Sequence, residues 1–223
     1  MSLISLYNIV QSLGGKEPVI DEADLDINEG DFIFLTGVSG AGKTTVLKII
    51  YGLLKPTSGE IFYHFHPSPK IRNLSRFRSK IGFIFQNSML LENRSVEYNV
   101  SLPLKILGVN RQAIEKEVST TLEVCFIDHL KKSSVSLLSG GEKQLVSLAR
   151  CIITSPLLIL ADEPTANLDY NMAVKLMDIL LKLNENGSTV VISTHDIQLM
   201  ETYESRILLI KNKKIIDYNN SNV

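Results

Sequence analysis

Residues 37–44 constrain the fold of this chain more strongly than any other part of its sequence. They read GVSGAGKT and satisfy the phosphate-loop pattern G-x-x-x-x-G-K-[ST]. The five residues before them, FIFLT, are typical of a parallel strand that is buried on both faces. Residues 43–54 carry apolar side chains at helical spacing and end before Lys55-Pro56. A strand, a glycine loop and a helix in this order predict an α/β fold built around an anion-binding loop.

This loop offers a phosphate group both backbone and side-chain contacts. Its glycines let successive N–H groups turn inward around an anion, and the helix N-terminus adds partial positive charge. Lys43 is predicted to bridge the β- and γ-phosphates of a nucleotide, and Thr44 to offer its hydroxyl to Mg²⁺. The alternative is a plain glycine turn before a helix. The residues predicted to contact the nucleotide are Gly37, Ser39, Gly40, Ala41, Gly42, Lys43, Thr44 and Thr45.

Further strand and helix patterns surround the loop. Strands are predicted at 2–10, 19–27, 81–85, 157–161 and 189–193, with a hairpin at 206–217 that turns at Asn212. Residues from about 87 to 156 show helical patterns instead, at 96–107, 111–125 and 141–154, and another helix is predicted at 172–184. We therefore expect a single domain over 1–223, in which 1–86 and 157–223 form an α/β core and 87–156 an inserted helical subdomain.

The composition excludes several classes of protein. Lys and Arg number 23 against 24 Asp and Glu, and hydrophobic residues make up 44%, so neither a disordered chain nor a strongly basic nucleic-acid binder is expected. No apolar run approaches the roughly 18 residues of a membrane-spanning helix, and the N-terminus lacks the pattern of a signal peptide. Cys125 and Cys151 lie in apolar segments without metal-ligand spacing, which favours buried thiols in a reducing compartment.

Two adjacent carboxylates, Asp162 and Glu163, follow the apolar run 157–161. Carboxylates at the end of a buried strand are costly unless a cation compensates them, and Mg²⁺ held by Thr44 would do so. Asp162 is therefore predicted to lie next to the residues that bind the ion directly and to stabilise the ion through them. Glu163 is predicted to polarise the attacking water as a general base. An acidic helix-capping turn is the alternative interpretation.

Residues 138–144, LSGGEKQ, distinguish among the many kinds of phosphate-loop protein, which include kinases, GTPases and ATPases. This stretch resembles the signature of the ABC-transporter nucleotide-binding family. The resemblance covers nearly the whole chain, and the motifs follow the order of that family. After the glycine loop come Gln86 as the Q-loop, the signature, Asp162-Glu163, the D-loop at 166–169 and His195 as the switch histidine.

The resemblance implies an α/β fold with a P-loop NTPase (RecA-like) core, an antiparallel β subdomain and an inserted α-helical subdomain. It implies ATP and Mg²⁺ as ligands, with Gln86 at the metal and His195 at the γ-phosphate. It also implies a head-to-tail homodimer. The helix that begins at Ser139, Gly140 and Gly141 offers a second phosphate site, and one chain cannot use both sites on the same γ-phosphate. Asp169 in the D-loop is expected to contribute to the same site.

The chain is similar to the branch of the family that holds the LolD, MacB and FtsE ATPases, with the FtsE family nearest. This implies an integral membrane permease-like partner, FtsX-like or of the lipoprotein-release type, and a cytoplasmic location on the inner face of the membrane. The alternatives are an ATPase for lipoprotein release or macrolide-type export, a soluble ABC ATPase acting on ribosomes or DNA, and a P-loop kinase. No nucleic-acid partner is expected.

Two positions depart from the pattern of the family, one of which is Leu145 in the signature helix, where relatives often have Arg. The aromatic residue that usually stacks on adenine is replaced by Ser12 or Leu13, and Tyr7 lies too early in its strand to take that place. Two other features are interpreted as solvated surface rather than as a metal site or a nucleic-acid patch. They are the pair His64 and His66, and the basic run Lys70, Arg72, Arg76, Arg78 and Lys80.

Overall fold

The computed structural model describes residues 1–12, 14, 17–64 and 77–218. The chain divides into two units, of which the first comprises Met1–Arg72, Leu160–Glu163 and Thr189–Val223. The second comprises Asn73–Ile159 and Pro164–Ser188. The expected helical subdomain at 87–156 falls inside the second unit, and its status as a separate subdomain stays a prediction. Within the described ranges, no helix combines the length and the apolar character that crossing a bilayer requires.

A three-stranded antiparallel sheet forms one part of the first unit. Its central strand β1 (Ser2–Ser12) pairs with β2 (Pro18–Asn28) on one side and with β4 (Ser58–Tyr63) on the other. Apolar and polar residues alternate along the second half of β2, so that Leu25 and Ile27 are buried while Asp26 between them is exposed. This is the antiparallel β part that the resemblance implied.

The main sheet of the first unit has the order β6 (Leu158–Asp162), β7 (Thr189–Ser193), β3 (Phe32–Thr36), β8 (Arg206–Lys211) and β9 (Lys214–Asp217). Strand β3 (Phe32–Thr36) lies between β7 (Thr189–Ser193) and β8 (Arg206–Lys211) and runs parallel to both, with its apolar residues fully covered. The predicted hairpin is confirmed, because β8 turns into β9 (Lys214–Asp217) through Asn212 at φ 51° and Lys213 at φ 66°. Strand β6 (Leu158–Asp162) ends in the first unit.

Helix α1 (Lys43–Ile50) follows β3 in the first unit and is shorter than predicted. The apolar pattern continues to Leu54, but Gly52 adopts φ 73°, a left-handed conformation that ends helices. The hydroxyl of Tyr63 donates to the Ile50 carbonyl over 2.9 Å and satisfies one of the last carbonyls of the helix. The short helix α6 (Ile197–Thr202) begins at Asp196, whose carboxylate accepts hydrogen bonds from the backbone of Gln198 and Leu199.

The second unit contains strand β5 (Ile81–Ile84), beside β6, and its longer helices in the described part are α-helices of eleven residues or more. They are α2 (Val96–Ile106), α3 (Arg111–Val124), α4 (Gly140–Ile152) and α5 (Tyr170–Glu185). Each begins after a residue whose side chain accepts a hydrogen bond from the backbone of the first turn, namely Ser95, Asn110, Ser139 and Asp169. Helix α2 packs against α3 and α4, and no strand interrupts residues 87–156, as predicted.

Both cysteines are buried free thiols in the second unit. Burial raises the pKa of each thiol to about 12, so both stay protonated at neutral pH. Cys151 on α4 lies directly over Gly82 of β5, where a Cβ atom would overlap its sulfur and come within 3.2 Å of Pro156 Cγ. Strand and helix are therefore packed at a distance that only glycine allows.

We expect Gly82→Ala to lower the free energy of unfolding by about 1–3 kcal/mol, because the added methyl group has no space against Cys151. The midpoint of urea denaturation measures this loss. The double variant Gly82→Ala/Cys151→Ala removes the obstructing sulfur and should recover most of the lost stability. A single variant as stable as the parent would contradict the close packing of β5 on α4.

Candidate nucleotide-binding site

The glycine loop leaves β3 and enters α1 in a conformation that requires its glycines. Gly37, Gly40 and Gly42 have φ of 149°, 77° and 108°. A Cβ atom at Gly37 would lie 2.8 Å from the Ile210 carbonyl oxygen, and one at Gly42 would lie 2.9 Å from Ile20 Cδ1. Helix α1 begins at Gly42 without a side-chain cap, so its first N–H groups are available to an anion.

Lys43 is almost fully buried at the start of α1, with 6% of its surface exposed. Its ammonium group donates to the Gly37 carbonyl over 2.9 Å and to the Val38 carbonyl over 3.4 Å. Glu163 Oε1 lies 3.7 Å from the same nitrogen. A buried ammonium group needs anionic compensation, and phosphate oxygens held by the loop would supply it.

Asp162 and Thr44 form an oxygen-rich pair suited to a magnesium ion. Asp162 is buried, and its Oδ1 accepts hydrogen bonds from Thr44 Oγ1 over 3.0 Å and from Ser193 Oγ over 2.7 Å. Hydroxyl and carboxylate oxygens are the ligands that Mg²⁺ prefers, so these residues fit the ion. Gln86, the third residue predicted at the metal, is exposed and belongs to the second unit, where it follows β5.

Glu163 has a strained backbone, with φ at 45°. Its N–H group donates to the carbonyl oxygen of Ser193 over 3.1 Å and to the hydroxyl of Ser193 over 3.0 Å, which holds the residue in this conformation. Its Oε1 lies 3.3 Å from His195 Nδ1. The structure thus brings together the predicted general base, the predicted switch histidine and Lys43.

Sequence reasoning missed Ser193, which binds Asp162 through its side chain and Glu163 through both its hydroxyl and its carbonyl. It is the polar residue that ends the otherwise apolar strand TVVIS, and it is fully buried. A hydroxyl at the buried end of a central strand needs a hydrogen-bond partner. That requirement was the signal available in the sequence.

The signature residues lie at the N-terminus of α4 in the second unit. Ser139 Oγ accepts a hydrogen bond from the Glu142 N–H over 3.3 Å, and Glu142 Oε2 accepts from the Ser139 N–H and hydroxyl, each over 2.8 Å. The backbone N–H of Ser139, and then its hydroxyl, lower the pKa of Glu142. This reciprocal cap, which the sequence analysis did not identify, leaves Ser139 and Gly140 exposed.

Asp169, the D-loop residue, is exposed and caps α5 in the second unit, where its Oδ1 accepts a hydrogen bond from the Met172 N–H over 3.0 Å. Gly141 lies close to the same helix start, since a Cβ atom there would stand 3.0 Å from Met172 Cε. Signature and D-loop residues are thus neighbours within one unit.

No aromatic side chain is found at the position where adenine stacking was in question. Ser12 ends β1 and donates its N–H to Thr57 Oγ1 over 3.1 Å, while Leu13 lies outside the described residues. Tyr7 is in the middle of β1, with its ring edge-to-face against Phe62 at 5.6 Å. A cleft of about 580 Å³ borders the glycine loop, with Pro18, Val19 and Val38 among its lining residues.

The other histidines and the basic run add no metal site in the described residues, where no group of three or more His, Cys, Asp or Glu side chains could hold an ion. His64 lies just after β4, and its Nε2 is 3.0 Å from Ser5 Oγ. The interpretation of His66, Lys70, Arg72 and Arg76 concerns residues outside the described ranges.

A glycine loop surrounds a buried lysine, the helix after it has no side-chain cap, and two carboxylates lie beside it. This combination defines a P-loop nucleotide hydrolase. The model of the ABC transporter family matches residues 20–166. The chain belongs to that family, and it is one of its ATP-binding, ATP-hydrolysing cassettes.

Two curated relatives and one solved structure show how far the similarity extends. The cell division ATP-binding protein FtsE of Mycobacterium tuberculosis is 34% identical over 209 residues, which cover 92% of this chain and 91% of the relative. FtsE of Escherichia coli is 38% identical over 199 residues, covering 88% and 89%. A dimeric ATP-binding cassette in a post-hydrolysis state, bound to ADP and Pi, superposes with a TM-score of 0.86 at 34% identity, covering 95% and 96%. The predicted α/β P-loop fold and ATPase class are confirmed.

Proposed function

We propose that this chain is the ATPase subunit of a membrane complex of the FtsE type, and that it hydrolyses ATP as a head-to-tail homodimer. The proximity of Lys43 and His195 to the strained Glu163 supports this proposal, because Glu163 would serve as the base and the other two would contact phosphate. The similarity to two FtsE proteins over about nine-tenths of the chain supports the cell-division branch.

Each residue near the glycine loop has a distinct role in this proposal. The loop N–H groups and Lys43 bind the β- and γ-phosphates. Thr44, supported by Asp162, and Gln86 would hold Mg²⁺, and the ion would offset the charge of the phosphates. Glu163 accepts the proton of the attacking water, and His195 contacts the γ-phosphate.

The dimer follows from the presence of two phosphate-binding helix starts in one chain. Helix α1 begins with the glycine loop in the first unit, and α4 begins with Ser139, Gly140 and Gly141 in the second. We infer that the signature of one copy, with Asp169 beside it, closes over the nucleotide of the other. The dimeric state of the ADP-bound cassette to which this chain is similar supports this arrangement.

The partner is proposed to be an integral membrane, permease-like subunit, which would hold the ATPase on the inner face of the cell membrane. This is tested by isolating tagged chain from native membranes after mild cross-linking and identifying the protein that co-purifies. The expected result is one integral membrane protein in fixed ratio, with ATP turnover that depends on its presence. Recovery with ribosomes or DNA, and none with membranes, would contradict the membrane assignment.

We expect wild-type subunits to discriminate ATP from GTP no more than a few-fold, because neither Ser12 nor Leu13 supplies an aromatic ring to stack on the base. Stacking of a base on an aromatic ring is worth about 1–3 kcal/mol in nucleic-acid systems, so Ser12→Tyr or Leu13→Tyr should tighten ATP binding by about tenfold. Competition binding with both nucleotides measures this, with Ser12→Leu as the matched control that lacks a ring. A strong preference of the wild type for ATP would show that another side chain supplies the platform.

A further inference from the structure

The turn between α2 and α3 exposes two adjacent aliphatic side chains. Helix α2 ends before Gly108, which adopts φ 74°, and α3 begins after Asn110, whose side chain accepts a hydrogen bond from the Ala113 N–H over 2.9 Å. Ile106 is 66% exposed and Leu107 is 38% exposed. Single exposed aliphatic residues are ordinary, but a pair at the end of a helical hairpin forms an apolar surface, here named the apolar tip.

A groove of about 1020 Å³ runs between α2 and α3 and is rich in basic side chains. Lys105 and Val109, which flank the apolar tip in the sequence, both line it. The basic residues of its described lining are Lys105, Arg111, Lys116, Lys131 and Lys132, and the acidic ones are Glu97 and Glu115. The groove therefore carries an excess of three positive charges, in a chain whose net charge is -1.

The two carboxylates of the groove already have cationic partners. Glu97 Oε2 lies 2.7 Å from Lys132 Nζ, and its Oε1 lies 3.9 Å from Lys131 Nζ. Glu115 Oε1 accepts a hydrogen bond from Arg111 Nε over 2.8 Å. Both acidic residues are thus neutralised by cations of the same groove and cannot also compensate the remaining lysines.

Those remaining lysines are Lys105 on α2 and Lys116 on α3, and neither forms a salt bridge with a carboxylate of the described residues. The Lys105 ammonium group lies 4.2 Å from the centre of the Tyr98 ring, and the Arg94 guanidinium carbon lies 5.0 Å from the same centre. An aromatic ring positions such cations but carries no charge to neutralise them. The groove therefore presents cations that an external anion can neutralise.

We propose that the α2–α3 hairpin binds the surface of a bilayer that contains anionic phospholipids, with phosphate headgroups at Lys105 and Lys116 and the apolar tip at the boundary of the acyl chains. Each Lys or Arg near such a surface strengthens binding by about fivefold, and exposed aliphatic side chains add to it by leaving water. A soluble anion would use the cations and leave the apolar tip in water, whereas a bilayer offers phosphate and hydrocarbon together. This contact goes beyond the proposed function, in which a partner subunit holds the chain at the membrane.

The first test measures co-sedimentation of the full chain with protein-free vesicles, made either of phosphatidylcholine alone or of equal parts phosphatidylcholine and phosphatidylglycerol. The wild type should bind the anionic vesicles at least about tenfold more tightly than the neutral ones, and less tightly as salt rises from about 0.05 to 0.3 M. Lys105→Gln/Lys116→Gln should weaken this binding by about tenfold or more. The matched control Lys80→Gln/Lys182→Gln removes two exposed lysines outside the groove and should change it by less than about twofold.

The second test reports on the apolar tip. The chain contains no Trp, so Leu107→Trp provides a single fluorophore at the tip. Its emission should shift to shorter wavelength with anionic vesicles and stay unchanged with neutral ones, because the ring leaves water for the interface. Ile106→Ser/Leu107→Ser should weaken vesicle binding by about tenfold, whereas Ile106→Leu/Leu107→Ile keeps the apolar surface and should retain it.

Equal losses of binding in the groove and control variants, or an unshifted Trp emission, would overturn the inference. Binding of inorganic phosphate that depends on Lys105 and Lys116, without binding to vesicles, would overturn it in favour of a soluble anion. Recovery on native membranes but not on protein-free vesicles would overturn it in favour of an acidic surface on a membrane protein. A failure of the proposed function would appear separately, as missing ATP turnover in the wild type, because vesicle binding requires neither hydrolysis nor a dimer.

Discussion

Replacing Glu163 by glutamine will stop hydrolysis and leave the chain as an ATP-bound dimer. The amide keeps the shape of the side chain but cannot accept the proton of the attacking water, so turnover should fall by about 10²–10⁴-fold. The Oε1 atom of Glu163 lies 3.7 Å from the Lys43 ammonium group, so removing its charge leaves that cation to the phosphates. ATP binding should therefore be preserved or tightened.

Size-exclusion chromatography with light scattering, in MgATP, measures the dimer of Glu163→Gln. The wild type is expected to return to monomer as it hydrolyses its nucleotide. The double variant Glu163→Gln/Lys43→Ala is the matched control, which should remain monomeric because it loses the cation proposed to bind the phosphates. If Glu163→Gln stays monomeric with bound ATP demonstrated, the head-to-tail dimer is wrong.

Substituting arginine for Ser139 will reduce hydrolysis by about 10²-fold or more while nucleotide binding persists. A long side chain occupies the exposed start of α4, where the phosphates of the second copy are expected to approach the N–H groups closely. The substitution also breaks the reciprocal cap with Glu142, at a cost of about 1 kcal/mol to the helix. ATP should still bind, because Lys43 and the glycine loop belong to the first unit.

Two milder variants separate blocked access from loss of the cap. Ser139→Thr keeps a hydroxyl that can cap α4 and should retain most activity, whereas Ser139→Ala loses the cap without adding bulk and should show a small loss. Steady-state turnover and equilibrium ATP binding are measured for all three variants. Equal losses of binding and turnover in Ser139→Arg would place Ser139 beside the nucleotide of its own chain.

Local patterns were sufficient to predict much of the first unit. The glycine loop, the buried strand before it and the acidic pair at the end of β6 predicted neighbouring side chains, and the structure places Lys43, Thr44, Asp162 and Glu163 together. The early end of α1 was not predicted, because the left-handed conformation of Gly52 outweighs an apolar pattern that continues to Leu54. Glycine can occupy many conformations, so its presence alone did not fix the end of the helix.

Contacts between distant segments explain what the sequence could not predict. The role of Ser193 depends on strand β7 ending beside Asp162, and that neighbourhood is set by sheet order. The bonds from Arg150 to Ser88 and Met89 join residues about 60 positions apart, and carbonyl acceptors leave no mark in the side-chain pattern. The roles of Gln86, Ser139 and Asp169 toward nucleotide remain predictions, and the Ser139 variants above test one of them.

The left-handed backbone of Glu163 is more stable with glycine, whereas the proposed activity needs a carboxylate at this position. A glycine there would adopt φ 45° without strain, whereas the carboxylate is retained at a conformational cost that Ser193 offsets with two hydrogen bonds. Selection for stability alone would therefore favour glycine, which lacks the carboxylate proposed as the general base. A search for more thermostable variants of this chain should recover substitutions at 163 that persist as folded, nucleotide-binding and inactive proteins, and such a search needs activity as a second criterion.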